Sequence, residues 1–109
     1  MTTVQNKNIE TANLKVATTD AQTLVAATGR NVTIVGMTIA SIANTATTFT
    51  IDTYDGTTAT NVTYQKSIAS KKAYAWRGGD IVIPTGSSLR ITVAAANYVD
   101  AKATYTVGT

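Results

Sequence analysis

The chain has no cysteine, no histidine and a single proline among its 109 residues. Lack of cysteine excludes a disulfide framework and thiolate metal sites and leaves the redox compartment open; lack of histidine removes the commonest general base and metal ligand at neutral pH. Charge is also sparse. Nine basic and six acidic side chains give a net charge of +3 but only 14% charged residues, where an average soluble domain has about 25%. Aromatics make up 6%, and no run approaches the roughly 18 consecutive apolar residues of a membrane helix. Residues 1–12 are polar and carry no apolar run behind a basic start, so they do not read as a secretory signal. One domain without a membrane partner is expected, since a chain of this length buries about two-thirds of its unfolded surface around one modest core.

Threonine and alanine, with 23 and 17 copies, fill the space that charge leaves. Threonine is branched at Cβ and suits a pleated surface, where its hydroxyl can meet water without adding charge. The alanines do not recur beside Leu, Glu and Lys at helical spacing, so they give no helix. Alternation with period two recurs instead. It is clearest where Val99, Ala101, Ala103, Tyr105 and Val107 point one way and Asp100, Lys102, Thr104 and Thr106 the other. Leu89, Ile91, Val93 and Ala95 alternate in the same manner, and Ala96-Asn97 is expected to turn this strand into the last one as a hairpin. Phe49 and Ile51 alternate ahead of the turn signal Tyr54-Asp55-Gly56. Val62, Tyr64 and Ile68 suggest a strand interrupted on its core face by Lys66, which predicts an edge position.

The run from Val32 to Ile42 is more apolar, and its phase switches at Val35-Gly36; a bulge there keeps Val32, Ile34, Met37 and Ile39 near one face, in a strand that belongs mid-sheet. Shorter strands are expected at 14–18, 22–26, 73–76 and 80–83. Turn signals at Gly29, Asn44, Gly56, Gly78-Gly79 and Pro84-Thr85-Gly86 punctuate the chain. Short strands at this spacing predict an all-β fold, a single antiparallel β-sandwich (jelly-roll or Ig-like) of about seven to nine strands. Residues 1–13 carry Val4 and Ile9 without a sustained period and read as an N-terminal arm that either disorders or lies along a partner, ahead of a sandwich domain at 14–109.

Catalytic chemistry finds little to work with. The six acids, Glu10, Asp20, Asp52, Asp55, Asp80 and Asp100, join no nucleophile in a recognisable pattern. The Asp-x-x-Asp-Gly spacing at 52–56 has two residues of a calcium loop but not its remaining oxygen ligands or its terminal Glu, so an Asx-stabilised turn is the favoured reading over a metal site. Ser70 beside Lys71 is a pairing that chance supplies in most sequences. No enzyme and no cofactor or metal is expected. Lys66, Lys71, Lys72 and Arg77 concentrate four cations around Tyr74 and Trp76, a mixture that single-strand nucleic-acid binders use. An edge or subunit contact is preferred, because lysines guard sheet edges and an aromatic in an alternating segment belongs more often to the core; nucleic acid is disfavoured. Val4, Ile9, Lys66, Lys71, Lys72, Tyr74, Trp76 and Arg77 are thus the interface candidates.

Segments 31–40 (NVTIVGMTIA), 48–56 (TFTIDTYDG), 76–93 (WRGGDIVIPTGSSLRITV) and 98–105 (YVDAKATY) together resemble the small single-domain β-sandwich virion proteins of tailed bacteriophages. Their shared features are an aliphatic strand opening the domain, a variable hairpin, a Gly, apolar strand, Gly-Ser, Leu-Arg-apolar unit and a final alternating strand. Ala27-Thr28-Gly29 stands where that family usually has Pro-Ala-Gly. The resemblance implies a structural subunit present in many copies, with a capsid decoration or cement role first and a neck, collar or tail accessory role second. Its partners would be other virion proteins (major capsid, portal, neck or tail) and copies of itself, and its place the virion, assembled in the host cytoplasm. A reading from another class is a carbohydrate- or host-surface-binding module, with Tyr54, Tyr64, Tyr74, Trp76 and Tyr98 as stacking faces.

Overall fold

A computed structural model describes residues 9–108, which form two antiparallel sheets and no helix among them. The strands are β1 (Ile9–Val16), β2 (Gln22–Ala26), β3 (Val32–Ser41), β4 (Thr47–Tyr54), β5 (Ala59–Ile68), β6 (Ala73–Ala75), β7 (Ile81–Ile83), β8 (Ser88–Val93) and β9 (Val99–Val107). The first sheet has the order β1-β9-β3-β6, and β7 also pairs with β3. Because β9 lines the whole of β3, while β7 takes Val32 to Ile34 and β6 takes Thr38 to Ala40, these two short strands are halves of one strand position. The second sheet runs β2-β8-β4-β5.

Pairing is nested: β1 with β9, β2 with β8, β3 with β6 and β7, β4 with β5. One long antiparallel ribbon, with its tip at the 55–58 turn, is therefore rolled into two layers, which is the jelly-roll form of the sandwich. Apart from β4 and β5 at the ribbon tip and the two half-strands β6 and β7, rolling sends successive strands to opposite sheets. The connection from β8 to β9 accordingly crosses between sheets and is not the hairpin expected at Ala96-Asn97, although a turn is there, with Asn97 at φ +63° and its N–H donating to the Val16 carbonyl at 2.9 Å. β8 stops at Val93, so Ala95 belongs to that crossing.

The inward faces meet in a dry aliphatic layer. Val16, Ile34, Ile39, Phe49, Ile51, Ile83, Leu89, Ile91 and Val99 are all less than 2% exposed, and each such side chain contributes roughly 1.5–3 kcal/mol relative to exposure. The phase switch in β3 is a bulge, as expected: Ile34 pairs with Tyr105 and Gly36 with Thr104, so Val35 is extruded while Val32, Ile34, Met37 and Ile39 stay inside. Glycine is needed at 36 because a Cβ there would lie 2.8 Å from the Thr104 hydroxyl oxygen. β3 is interior to its sheet and β5 is an edge, also as expected.

Residues 9–13 depart from the expected arm. They pair with β9 from Ile9 opposite Thr106 onward, with Ala12 and Leu14 turned towards the core. Val4 lies outside the described residues.

Candidate interaction surfaces

Alternation dictates what each sheet shows to the outside. On the first sheet the outward row Ile9, Thr106, Thr33 and Val82 crosses all four strand positions at one end. At the other end stand the rows Asn13, Lys102, Thr38, Ala75 and Lys15, Asp100, Ala40, Ala73. Of the five large apolar side chains that remain exposed among the described residues, Ile9 (66%), Val35 (41%), Ile42 (45%) and Val82 (59%) are on this sheet or continue its central strand. Small side chains leave an open hollow of about 570 Å³ at the second end, bordered by Asn13, Lys15, Thr38, Ala40 and Lys102. Lys15 and Asp100 face each other there at 3.6 Å. Exposed as Lys15 is, such a pair contributes at most about 1 kcal/mol, and its main effect is to cancel charge on the face.

The sequence candidates from 66 to 77 lie where the ribbon passes from edge β5 to edge β6. Lys66, Lys71, Lys72 and Arg77 are all exposed along this side. Lys66 opposes Phe49 and extends over the Tyr74 ring, its ammonium 5.6 Å from the ring centre, while Tyr74 tilts against Phe49 at 5.4 Å. The lysine stem thus covers the open side between the layers and its charge stays wet. Lys71 has φ +56° in the tight 69–72 turn, and the Lys72 carbonyl accepts the Ser41 N–H at 2.8 Å. Trp76 is half-buried against the core. Its indole covers Gly78 and its Nε1–H donates to the Gly79 carbonyl at 2.7 Å. Tyr74 and Trp76 are therefore packing groups, half-buried against the core.

Two further clusters occupy the second sheet. Arg90 on β8 meets Asp52 on β4 with Nε to Oδ1 at 2.9 Å and Nη2 to Oδ2 at 3.1 Å, and its guanidinium lies 3.9 Å over the Tyr54 ring. The bidentate bond from Asp52 raises the Arg90 pKa above its already high ordinary value, so this charge is permanent. At the adjacent end, Tyr54, Thr23, Thr85, Ser88 and Gly86 help to line an open dish of about 520 Å³. Its loops are bolted together, with Asn31 Oδ1 accepting the Thr85 N–H and hydroxyl, and Gly86 N–H donating to Ala27 O.

The Asp52–Asp55 spacing does not assemble a cation site. Asp52 is committed to Arg90, while Asp55 Oδ1 accepts the Thr57 and Thr58 N–H groups at 2.9 and 2.7 Å. These bonds, from Thr58 first and Thr57 second, lower the Asp55 pKa below its ordinary value. This is the Asx turn read from the sequence. No group of three or more metal-ligating side chains occurs among the described residues. Ser70 donates its hydroxyl to the Ala43 carbonyl at 3.0 Å.

Of the five rings considered for glycan stacking, Tyr54 is covered by Arg90, Tyr74, Trp76 and Tyr98 are half-buried, and Tyr64 is 65% exposed. Tyr64 was expected in the core with Val62 and Ile68; the bulge in β5, with Gln65 at φ +45° and its N–H on Thr50 Oγ1, shifts the phase and leaves the ring outside. The outward residues Val35, Thr38, Ala40 and Val82, and the Arg90–Asp52–Tyr54 cluster, escaped the sequence reading. Val35 was signalled by the phase switch that extrudes it, and Val82 by its position between Ile81 and Ile83.

Comparison of the chain with family models and with curated proteins gave no match.

Proposed function

We propose that the chain is a bacteriophage virion structural protein, a capsid decoration subunit held on the particle in many copies. The observation that carries this reading is the outward face of the first sheet, where threonine, alanine and exposed aliphatic side chains predominate and the charged groups Lys15, Asp100 and Lys102 are confined to one end. Lone apolar side chains on a surface need no explanation, but a whole sheet face built this way is suited to packing against protein. The double-sheet jelly roll, a form used by viral capsid domains and lectins, supports the same assignment by analogy of fold.

Work is done by burial and multiplicity, with no turnover. The cationic side from Lys66 to Arg77 and the chain ahead of Ile9, including Val4, supply attachment to the larger shell, and many weak contacts sum through avidity. A neck, collar or tail accessory role uses the same surfaces. The test is mass spectrometry and electron cryomicroscopy of particles purified from a phage encoding the chain. Lattice-wide occupancy is expected, together with fragile heads when the gene is deleted. A few copies at one vertex would move the chain to the neck or tail, and absence from particles overturns the virion reading.

A glycan-binding role has one supporting observation, the hydroxyl-lined dish beside Tyr54. It predicts amide shifts confined to 27–29, 54–56 and 85–88 on titration with sugars.

A further inference from the structure

We infer that the open dish at the ribbon-tip end of the sandwich takes one or two rings of an uncharged saccharide and discriminates against sugars that carry a carboxylate. The inference rests on the glycan-binding reading and narrows it to one chemical class of ligand.

Three loops meet at the dish, at 27–31, 54–58 and 84–87, and each is already tied down. Ala27 N–H donates to Ser87 O at 3.0 Å and Gly86 N–H to Ala27 O at 2.8 Å, so main-chain bonds join the first loop to the third. Tyr54 is fixed from two sides. Its hydroxyl donates to Gly56 O at 2.9 Å, and Arg90, anchored by Asp52, lies over one face of the ring. A ligand therefore meets a formed surface and little of the protein has to be ordered on binding, which favours weak polar contacts.

The lining has the chemistry of its proposed ligand. Thr23, Thr28, Thr85, Ser87 and Ser88 bring five aliphatic hydroxyls to it, and no Asp, Glu, Lys or Arg belongs to it among the described residues. A hydroxyl both donates and accepts, as each hydroxyl of a sugar does, so the two surfaces match whichever way the protons point. Tyr54 adds an aromatic wall with a polar tip, suited to a ring that is apolar on its C–H face and polar at its edge.

The charged groups nearby are already committed or lie outside. Arg90 makes two bonds to Asp52, and Asp55 accepts from Thr57 and Thr58 at the tip. Arg30 follows Gly29 beyond the lining and is exposed to solvent, which screens it. A sugar carboxylate seated in the dish would lose hydration without gaining a partner. The volume of about 520 Å³ is within the roughly 300–1,000 Å³ of small-molecule sites. Because the dish is open, affinity for one copy is expected to be weak, with a Kd of about 1 mM.

The test is titration of the isotope-labelled full chain, followed by amide NMR. The neutral probes are glucose, galactose, N-acetylglucosamine and maltotriose, set against glucuronic acid, galacturonic acid and N-acetylneuraminic acid. At least one neutral sugar is expected to saturate and to shift amides of the three loops, while the acids bind at least tenfold more weakly. Thr23→Val and Ser88→Val each remove one hydroxyl and keep a side chain that suits a strand, and each should weaken binding by about two- to tenfold. Thr11→Val, at an exposed position of β1 outside the dish, should change nothing.

Equal or tighter binding of the acids at the same amides overturns the inference and leaves the glycan-binding reading standing. Saturable shifts elsewhere on the surface, or variants indifferent to the lost hydroxyls, do the same. Absence of a saturable shift with any of the sugars overturns both.

Discussion

Arg90 and Asp52 face each other across β8 and β4 in a two-pronged ion pair whose side chains are only 19% and 9% exposed. Planar charge-assisted pairs of this kind are strong, and removing one partner strands the other in a poorly hydrated place. Asp52→Ala and Arg90→Ala are each expected to lower stability by about 2–4 kcal/mol, with the double variant losing less than the sum by about 1–3 kcal/mol. Urea denaturation of the four proteins measures the coupling, and strict additivity would show that the pair is decorative.

Acid should loosen the ribbon tip through Asp55. Its pKa is lowered in the folded chain by the Thr58 and Thr57 N–H groups, so its contribution is fully present above the unfolded value and is lost as pH falls through the folded one. Asp55→Asn keeps an acceptor oxygen but not the titration. The stability difference between the two proteins should be level at neutral pH and narrow below about pH 4, as followed by denaturation at a series of pH values.

Gly78 is where a methyl group would run into the Trp76 ring. Gly78→Ala should displace the indole, break its bond to the Gly79 carbonyl and cost about 1–3 kcal/mol. Trp76 is the sole tryptophan, so a red-shifted emission with retained β-sheet circular dichroism reports the change directly. An unshifted spectrum would mean that the turn moves instead of the ring.

Asn97 holds a left-handed conformation at the β8–β9 crossing, with φ +63°. Asn97→Gly is expected to be near neutral, while Asn97→Val should lose about 1–2 kcal/mol because a branched Cβ opposes that conformation. Thermal melts of the two variants give the order.

What could be read beforehand was whatever a single strand decides for itself. The bulge at Val35-Gly36, the edge position of β5 beside Lys66 and the Asx turn at Asp55 each follow from side chains within a few residues of one another. Partner choice is different in kind. Alternation around Leu89 and Val99 states which side chains turn inward but not which sheet they enter, so two adjacent strands looked like a hairpin when the chain was in fact changing layers. Residues 9–13 were missed because an edge strand buries little; Ala12 and Leu14 are thin evidence among Glu10, Thr11 and Asn13. The Arg90–Asp52 pair joins residues 38 apart, a distance over which local patterning is silent.

The nesting of the ribbon also sets an order of assembly. β4 and β5 are joined by a short turn and can pair at small entropic cost, whereas uniting β1 with β9 closes nearly the whole described length. Such non-local closure is slow, in the range of milliseconds to seconds for all-β domains of this size. The margin that begins at Ile9 is consequently finished last, so until β1 docks on β9 the first sheet lacks one of its two edges and a half-made chain has no complete outer face.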